Sequence, residues 1–64
     1  MKRQRLLRHL REQGCTVVRE GGDHTHVMNP ANRRLSSVPR HREIKPNTVR
    51  TICKQLDIPV PAER

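Results

Sequence analysis

Between Gly14 and His24 the chain reads Gly-Cys-Thr-Val-Val-Arg-Glu-Gly-Gly-Asp-His, and this punctuation constrains the fold more than any other stretch. Glycine costs little in the left-handed conformation that closes a helix, so Gly14 reads as a stop for what precedes it. The β-branched run after it favours a strand. Gly21-Gly22 tolerates the positive φ angles of a tight hairpin. A helix, a strand and a returning strand are therefore expected in that order, with His24 opening the return.

The flanking segments fit. Over residues 2–13, Leu6, Leu7 and Leu10 fall in one sector at 100° per residue, with Arg5, Arg8 and Arg11 opposite. Arg3 projects into the apolar sector, which puts the first turn beyond the core. Strands are expected at 15–20, 24–29 and 34–38. Asn29-Pro30-Ala31-Asn32 supplies the second turn, since Asn accepts a local hydrogen bond and Pro presets φ. Residues 40–45 read as a loop. Pro46 suits a first helical turn, and Val49, Ile52, Cys53 and Leu56 recur at i, i+3, i+4 and i+7 in a helix over 46–57. The tail 58–64 reads as extended and poorly ordered.

Short turns make consecutive strands antiparallel neighbours. The helical stripes have only the sheet to bury against, so both helices are expected on one face, with the other left open. The expectation is a single α+β domain over residues 1–64, two layers in the order α-β-β-β-α. At 64 residues without Phe, Trp or Tyr, the core must come from Leu, Val, Ile, Met and Cys, and it must be small. No apolar run approaches a membrane span, and no apolar stretch follows the charged N-terminus, so neither a membrane segment nor a signal peptide is expected. Cys15 and Cys53 read as reduced core thiols of a cytoplasmic protein.

Fourteen Lys and Arg against six Asp and Glu give a formal net charge of +8. Such a field attracts polyanions, nucleic acid first. A membrane-surface role needs an apolar helix face richer than any here.

The chain resembles the HicA-type toxins, also called the YcfA family, over roughly residues 4–58. The resemblance rests on the leucine-bearing first helix, on Gly14, and on Arg19 followed by Gly22-x-His24. It continues through Asn29-Pro30, Val38-Pro39-Arg40-His41-Arg42-Glu43-Ile44 and Thr48-Val49-Arg50-Thr51-Ile52-Cys53-Lys54-Gln55. It implies a fold like the double-stranded-RNA-binding domain. It also implies an endoribonuclease that cuts messenger RNA without a metal or other cofactor, as the toxin of a toxin–antitoxin pair. The family's catalytic histidine falls on His24, and the implied partner is a HicB-type antitoxin covering that site. The chain departs from the family pattern at Cys15 and near Val27, where aromatics are common, and at Asp23, where serine is common.

RNA carries its own nucleophile, the 2′-OH, so cleavage needs a base for that proton, cations for the phosphorane charge and an acid for the leaving oxygen. Imidazole suits the proton transfers near neutral pH, which fits His24; a plain reading is a polar residue at a strand start. His26 shares its face at a two-residue spacing. It is a candidate acid or phosphate contact, and His41 in the basic loop is a second candidate phosphate contact. The phosphate-binding candidates are Arg19, Arg33, Arg34, Arg40, Arg42 and Lys45. His9 reads as solvated, and Glu12, Glu20 and Glu43 read as surface charges without the pairing that would mark a two-carboxylate site. A metal site on His24 and His26 lacks a third and fourth ligand at any familiar spacing, so none is expected. A non-catalytic RNA-binding module on the same basic surface is the alternative function, and a purely structural subunit a third.

Overall fold

The structure is a computed structural model that describes residues 1–62; Glu63 and Arg64, the end of the expected tail, lie outside the described residues. Its elements are α1 (Arg3–Glu12), β1 (Thr16–Glu20), β2 (His24–Asn29), β3 (Arg34–Pro39) and α2 (Pro46–Leu56). The strands form one antiparallel sheet in the order β1-β2-β3.

Both helices end by the same device. After α1, Gly14 takes φ 89°. There Gly14 N donates to Arg11 O at 3.0 Å and Cys15 N to Leu10 O at 2.9 Å. This paired closure satisfies carbonyls that the helix cannot reach. After α2, Asp57 takes φ 57°, with Asp57 N on Lys54 O at 3.1 Å and Ile58 N on Cys53 O at 3.0 Å. Lys2 and Gln13 are cap residues with non-helical backbone, so α1 is one residue shorter at each end than the 2–13 expected. Cys15 belongs to the closure of α1 rather than to β1. Pro39 still pairs with His24, which extends β3 past residue 38. Asp57 caps α2, which therefore stops at Leu56 instead of 57.

Alternation along β2 buries Thr25, Val27 and Asn29 and turns His24, His26 and Met28 the other way. On β3, Ser36 and Val38 face inward. Leu6 and Leu10 from α1, and Val49, Ile52, Cys53 and Leu56 from α2, join Val27, Val38, Cys15 and Ile44 in one core cluster. Both helices therefore lie on the same sheet face. Full burial of an aliphatic side chain is worth about 1.5–3 kcal/mol, and these few residues are the main apolar stabilisation available. Polar ties fasten the layers as well. Asn29 Nδ2 and Asn32 Nδ2 both donate to Leu56 O, at 2.8 and 3.1 Å, and Ser36 Oγ donates to Gln55 Oε1 at 2.6 Å.

Residues 40–45 are more than a loop. Lys2 pairs with Glu43 in an antiparallel bridge, Ile44 N donates to Met1 O at 2.7 Å and Arg3 N to Arg42 O at 2.9 Å. Arg3 does point toward the sheet, and it does not leave the first turn outside the core region. Its guanidinium donates to Thr25 Oγ1 and, through Nε, to Pro39 O at 3.1 Å. The tail is tied down at its start: Ile58 packs on the core, and His9 Nε2 lies 2.7 Å from Pro59 O, so His9 is engaged rather than merely solvated.

Both cysteines are free and buried. Burial pushes the Cys15 thiol up, and burial together with nearby Cys15 does the same to Cys53. No helix among the described residues is long and apolar enough to cross a membrane.

Candidate functional site

The uncovered sheet face carries His24 and His26, and an irregularity in β1 decides what stands beside them. Thr16 pairs with Met28 and Val17 with Val27, but the next partners are Arg19 with His26 and Glu20 with Thr25. Val18 is the extra residue of a β-bulge, and β-bulges commonly re-aim side chains beside functional sites. Regular alternation would send Arg19 to the helix side and Glu20 to the open side. The bulge exchanges them. Arg19 flanks His26 on the open face, and Glu20 joins Thr25 on the inner one.

His24 opens β2 on that open face, exposed, with Pro39 as its cross-strand partner. His26 stands beyond it on the same face, about 7 Å along the strand, between Arg19 and Ser37. The turn before His24 does not use its glycines as the sequence suggested. Neither Gly21 nor Gly22 lies in the left-handed region. Gly21 is favoured by close approach: a Cβ there would lie 3.1 Å from His26 Nε2 and 3.2 Å from His24 O, so these neighbours would have to give by a few tenths of an ångström. Gly21 N donates to that same His24 carbonyl at 2.8 Å.

A chain of polar contacts holds this turn. Arg3 donates to Thr25 Oγ1, and the Thr25 hydroxyl donates to Glu20 Oε1 at 2.8 Å. Arg40 Nη2 donates to Glu20 Oε1 at 2.6 Å and to Gly21 O at 2.9 Å. Arg40 N also donates to Asp23 O at 3.2 Å. The Thr25 hydroxyl, followed by Arg40 and Arg3, holds the Glu20 carboxyl below its ordinary range. Glu20 is thus a paired carboxylate at the hinge of the hairpin. Its partners escape a period-two reading of the sequence because of the bulge.

The candidate cations separate into groups. Arg40 is engaged with Glu20 beside His24. Arg42 and Lys2 line a recess of about 310 Å³ at the start of α1. Lys45 caps α2, and His41 is exposed between Arg40 and Arg42. Arg33 and Arg34 lie at the opposite end of the β2–β3 ladder, where Arg34 pairs with Asn29, roughly 17 Å from His24 at strand rise. Arg33 is held at φ 62° by the turn. Arg19 is the candidate that shares the open face with both histidines. Among the described residues no three His, Cys, Asp or Glu side chains converge as a metal site would require.

Residues 3–58, from the first residue of α1 to the one that closes α2, match the family model described as HicA toxin of bacterial toxin–antitoxin. No curated protein and no solved structure matches the chain. The match spans every helix and strand described above, and the chain belongs to the HicA toxin family of bacterial toxin–antitoxin systems.

Proposed function

We propose that this toxin is a metal-independent endoribonuclease that cuts messenger RNA, with His24 as the proton-transfer residue and a HicB-type antitoxin as its inhibitor. The observation that carries the reading is the position of His24. Its imidazole is exposed on the sheet face that no helix covers, at a turn fixed by Glu20, Thr25 and Arg40.

The chemistry follows from the substrate. His24 takes the proton of the 2′-OH, and that oxygen attacks the adjacent phosphorus. Charge builds on the non-bridging oxygens, where Arg19 on the open face supplies a cationic donor, while Arg42 and Lys45, off that face, serve flanking phosphates. The P–O5′ bond breaks, and the leaving oxygen takes a proton from an acid; His26 is the nearest candidate on the same face, and His41 the second. The products are a 2′,3′-cyclic phosphate and a 5′-hydroxyl. No activated water is needed for this step, because the ribose supplies the nucleophile. Arg33 and Arg34, at the far end of the β2–β3 ladder, serve phosphates well away from His24 and position RNA without reading it.

Purified protein incubated with messenger RNA in EDTA tests the reading. The wild type is expected to cleave, and His24→Ala to lose about 10²–10⁴-fold in rate with its circular dichroism spectrum intact. Replacing the ribose at a cleaved position by deoxyribose should abolish cutting there. Undiminished cleavage by His24→Ala removes the imidazole from the reaction. Tight, salt-sensitive binding with RNA left intact by the wild type would instead make the chain a binding module.

A further inference from the structure

We propose that the depression beside His26 is a nucleobase subsite, which receives one unstacked base of a single-stranded RNA while the adjoining phosphate lies at His24. The proposal rests on the RNA-cleavage reading above and adds where a base is held.

The depression is about 330 Å³ and is lined by Val18, Arg19, His26, Leu35, Ser37 and Gln55. That is the low end for small-ligand pockets, room for one planar ring rather than a helix. Its construction suits a base. The bulge puts Val18 and Arg19, two consecutive residues, opposite His26, so an aliphatic wall and a guanidinium flank the imidazole. Leu35 closes the far side, 63% exposed although it belongs to a strand. The edge of the His26 ring lies beside Gly21, where a Cβ would stand 3.1 Å from Nε2, and its planar face is a stacking surface for a base. Polar groups sit at the edges. Ser37 pairs across from His26. Gln55 receives the Ser36 hydroxyl on Oε1, which leaves its amide N–H groups to donate.

RNA is favoured over other occupants by charge and composition. Among the described residues no carboxylate lines the depression, Arg19 stands on its rim, and the whole chain carries +8. The chain has no Phe, Trp or Tyr. Imidazole and guanidinium planes are therefore its only stacking surfaces, and RNA-binding proteins use both for unpaired bases. His24 and His26 are about 7 Å apart on one face, within the span of a single nucleotide.

The test compares two polyanions of equal length and charge on the full chain by fluorescence anisotropy. One is a short single-stranded 2′-O-methyl RNA, which lacks the nucleophile and stays intact. The other is the same sugar–phosphate chain without bases. The base-bearing strand is expected to bind about tenfold more tightly, with the same dependence on salt. In the variant Val18→Ser/Leu35→Ser, both at exposed positions, that advantage should fall below about twofold. Equal affinity of the two polyanions for the wild type overturns the proposal, and this arm needs no variant to fold. A folded variant that keeps the full base advantage also overturns it. So does a variant that keeps it while losing the antitoxin, which would assign the depression to a protein partner. Failure of the nuclease reading shows separately, as cleavage retained by His24→Ala, and leaves the anisotropy comparison intact.

Discussion

Gly21 and Gly22 are adjacent, yet only the first has a steric reason to be glycine. A methyl group on Gly21 would press on His26 Nε2 and the His24 carbonyl, at 3.1 and 3.2 Å; one on Gly22 would meet nothing within 4 Å. Gly21→Ala is expected to cost about 1 kcal/mol, a fall of roughly 4–8 °C in Tm for a domain of this size, and to displace the His26 ring. Gly22→Ala should be neutral or raise stability by about 0.4–1 kcal/mol, because it removes freedom from the unfolded chain alone. Thermal melts of the two variants check both signs. Glu20 offers a pH test on the same turn. Its folded-state pKa is depressed below the ordinary 4.5, with the Thr25 hydroxyl as the main cause. The unfolded chain then binds the proton more readily, so the contribution is fully present above pH 4.5 and is lost as pH falls through the folded value. The Tm gap between wild type and Glu20→Gln should be open at pH 7 and close below pH 4.5. A gap independent of pH would mean that the carboxylate charge is irrelevant to the clamp.

The two helix closures are matched elements with unmatched residues. Gly14 sits at φ 89° without strain, whereas Asp57 sits at φ 57° with a Cβ. Left-handed backbone costs an L-residue about 1–2 kcal/mol. Gly14→Ala should therefore destabilise by about 1 kcal/mol, and Asp57→Gly should stabilise by up to about that amount; denaturant midpoints of opposite sign are the check. Elements of this kind were legible in the sequence. The leucine stripe, Gly14, Pro46 and the stripe from Val49 to Leu56 each act through local geometry, which a linear pattern records. The second turn was legible for the same reason, and its length fixes the β2–β3 register that sets Ser37 beside His26. The β1–β2 register was not legible. Val17-Val18 reads as uninterrupted strand, and nothing local marks Val18 as the residue left unpaired. That bulge decides which face Arg19 and Glu20 occupy, so the Arg19–His26 pairing and the Glu20–Arg40 ion pair stayed hidden with it. The ties of Arg3 to Thr25 and of His9 to Pro59 were hidden differently: they join residues 22 and 50 positions apart, a separation that no periodicity encodes.

At the scale of the molecule, one field acts in two directions. The charge of +8 is spread over 64 residues, and neither helix has an acidic residue in its first turn to offset the positive end of its dipole. Self-repulsion of this kind destabilises the compact state, and the aliphatic core is too small to make the effect negligible. Raising salt shortens the reach of the repulsion, from about 10 Å at 0.1 M to about 3 Å at 1 M, so the Tm of the free protein should rise between low and high salt. If the proposed function holds, the same screening should weaken RNA binding, because each neutralised phosphate of a single strand contributes about −0.7 to the slope of log affinity against log salt. For about four such contacts, affinity should fall by roughly fifty-fold between 50 and 200 mM. Bound polyanion stabilises by mass action, so the Tm gained from a non-cleavable RNA should shrink over the range in which the free protein gains. Melting curves with and without that RNA across a salt series measure both terms at once. If the free-protein Tm stayed flat while the RNA-dependent gain collapsed, the cations would serve binding without burdening the fold.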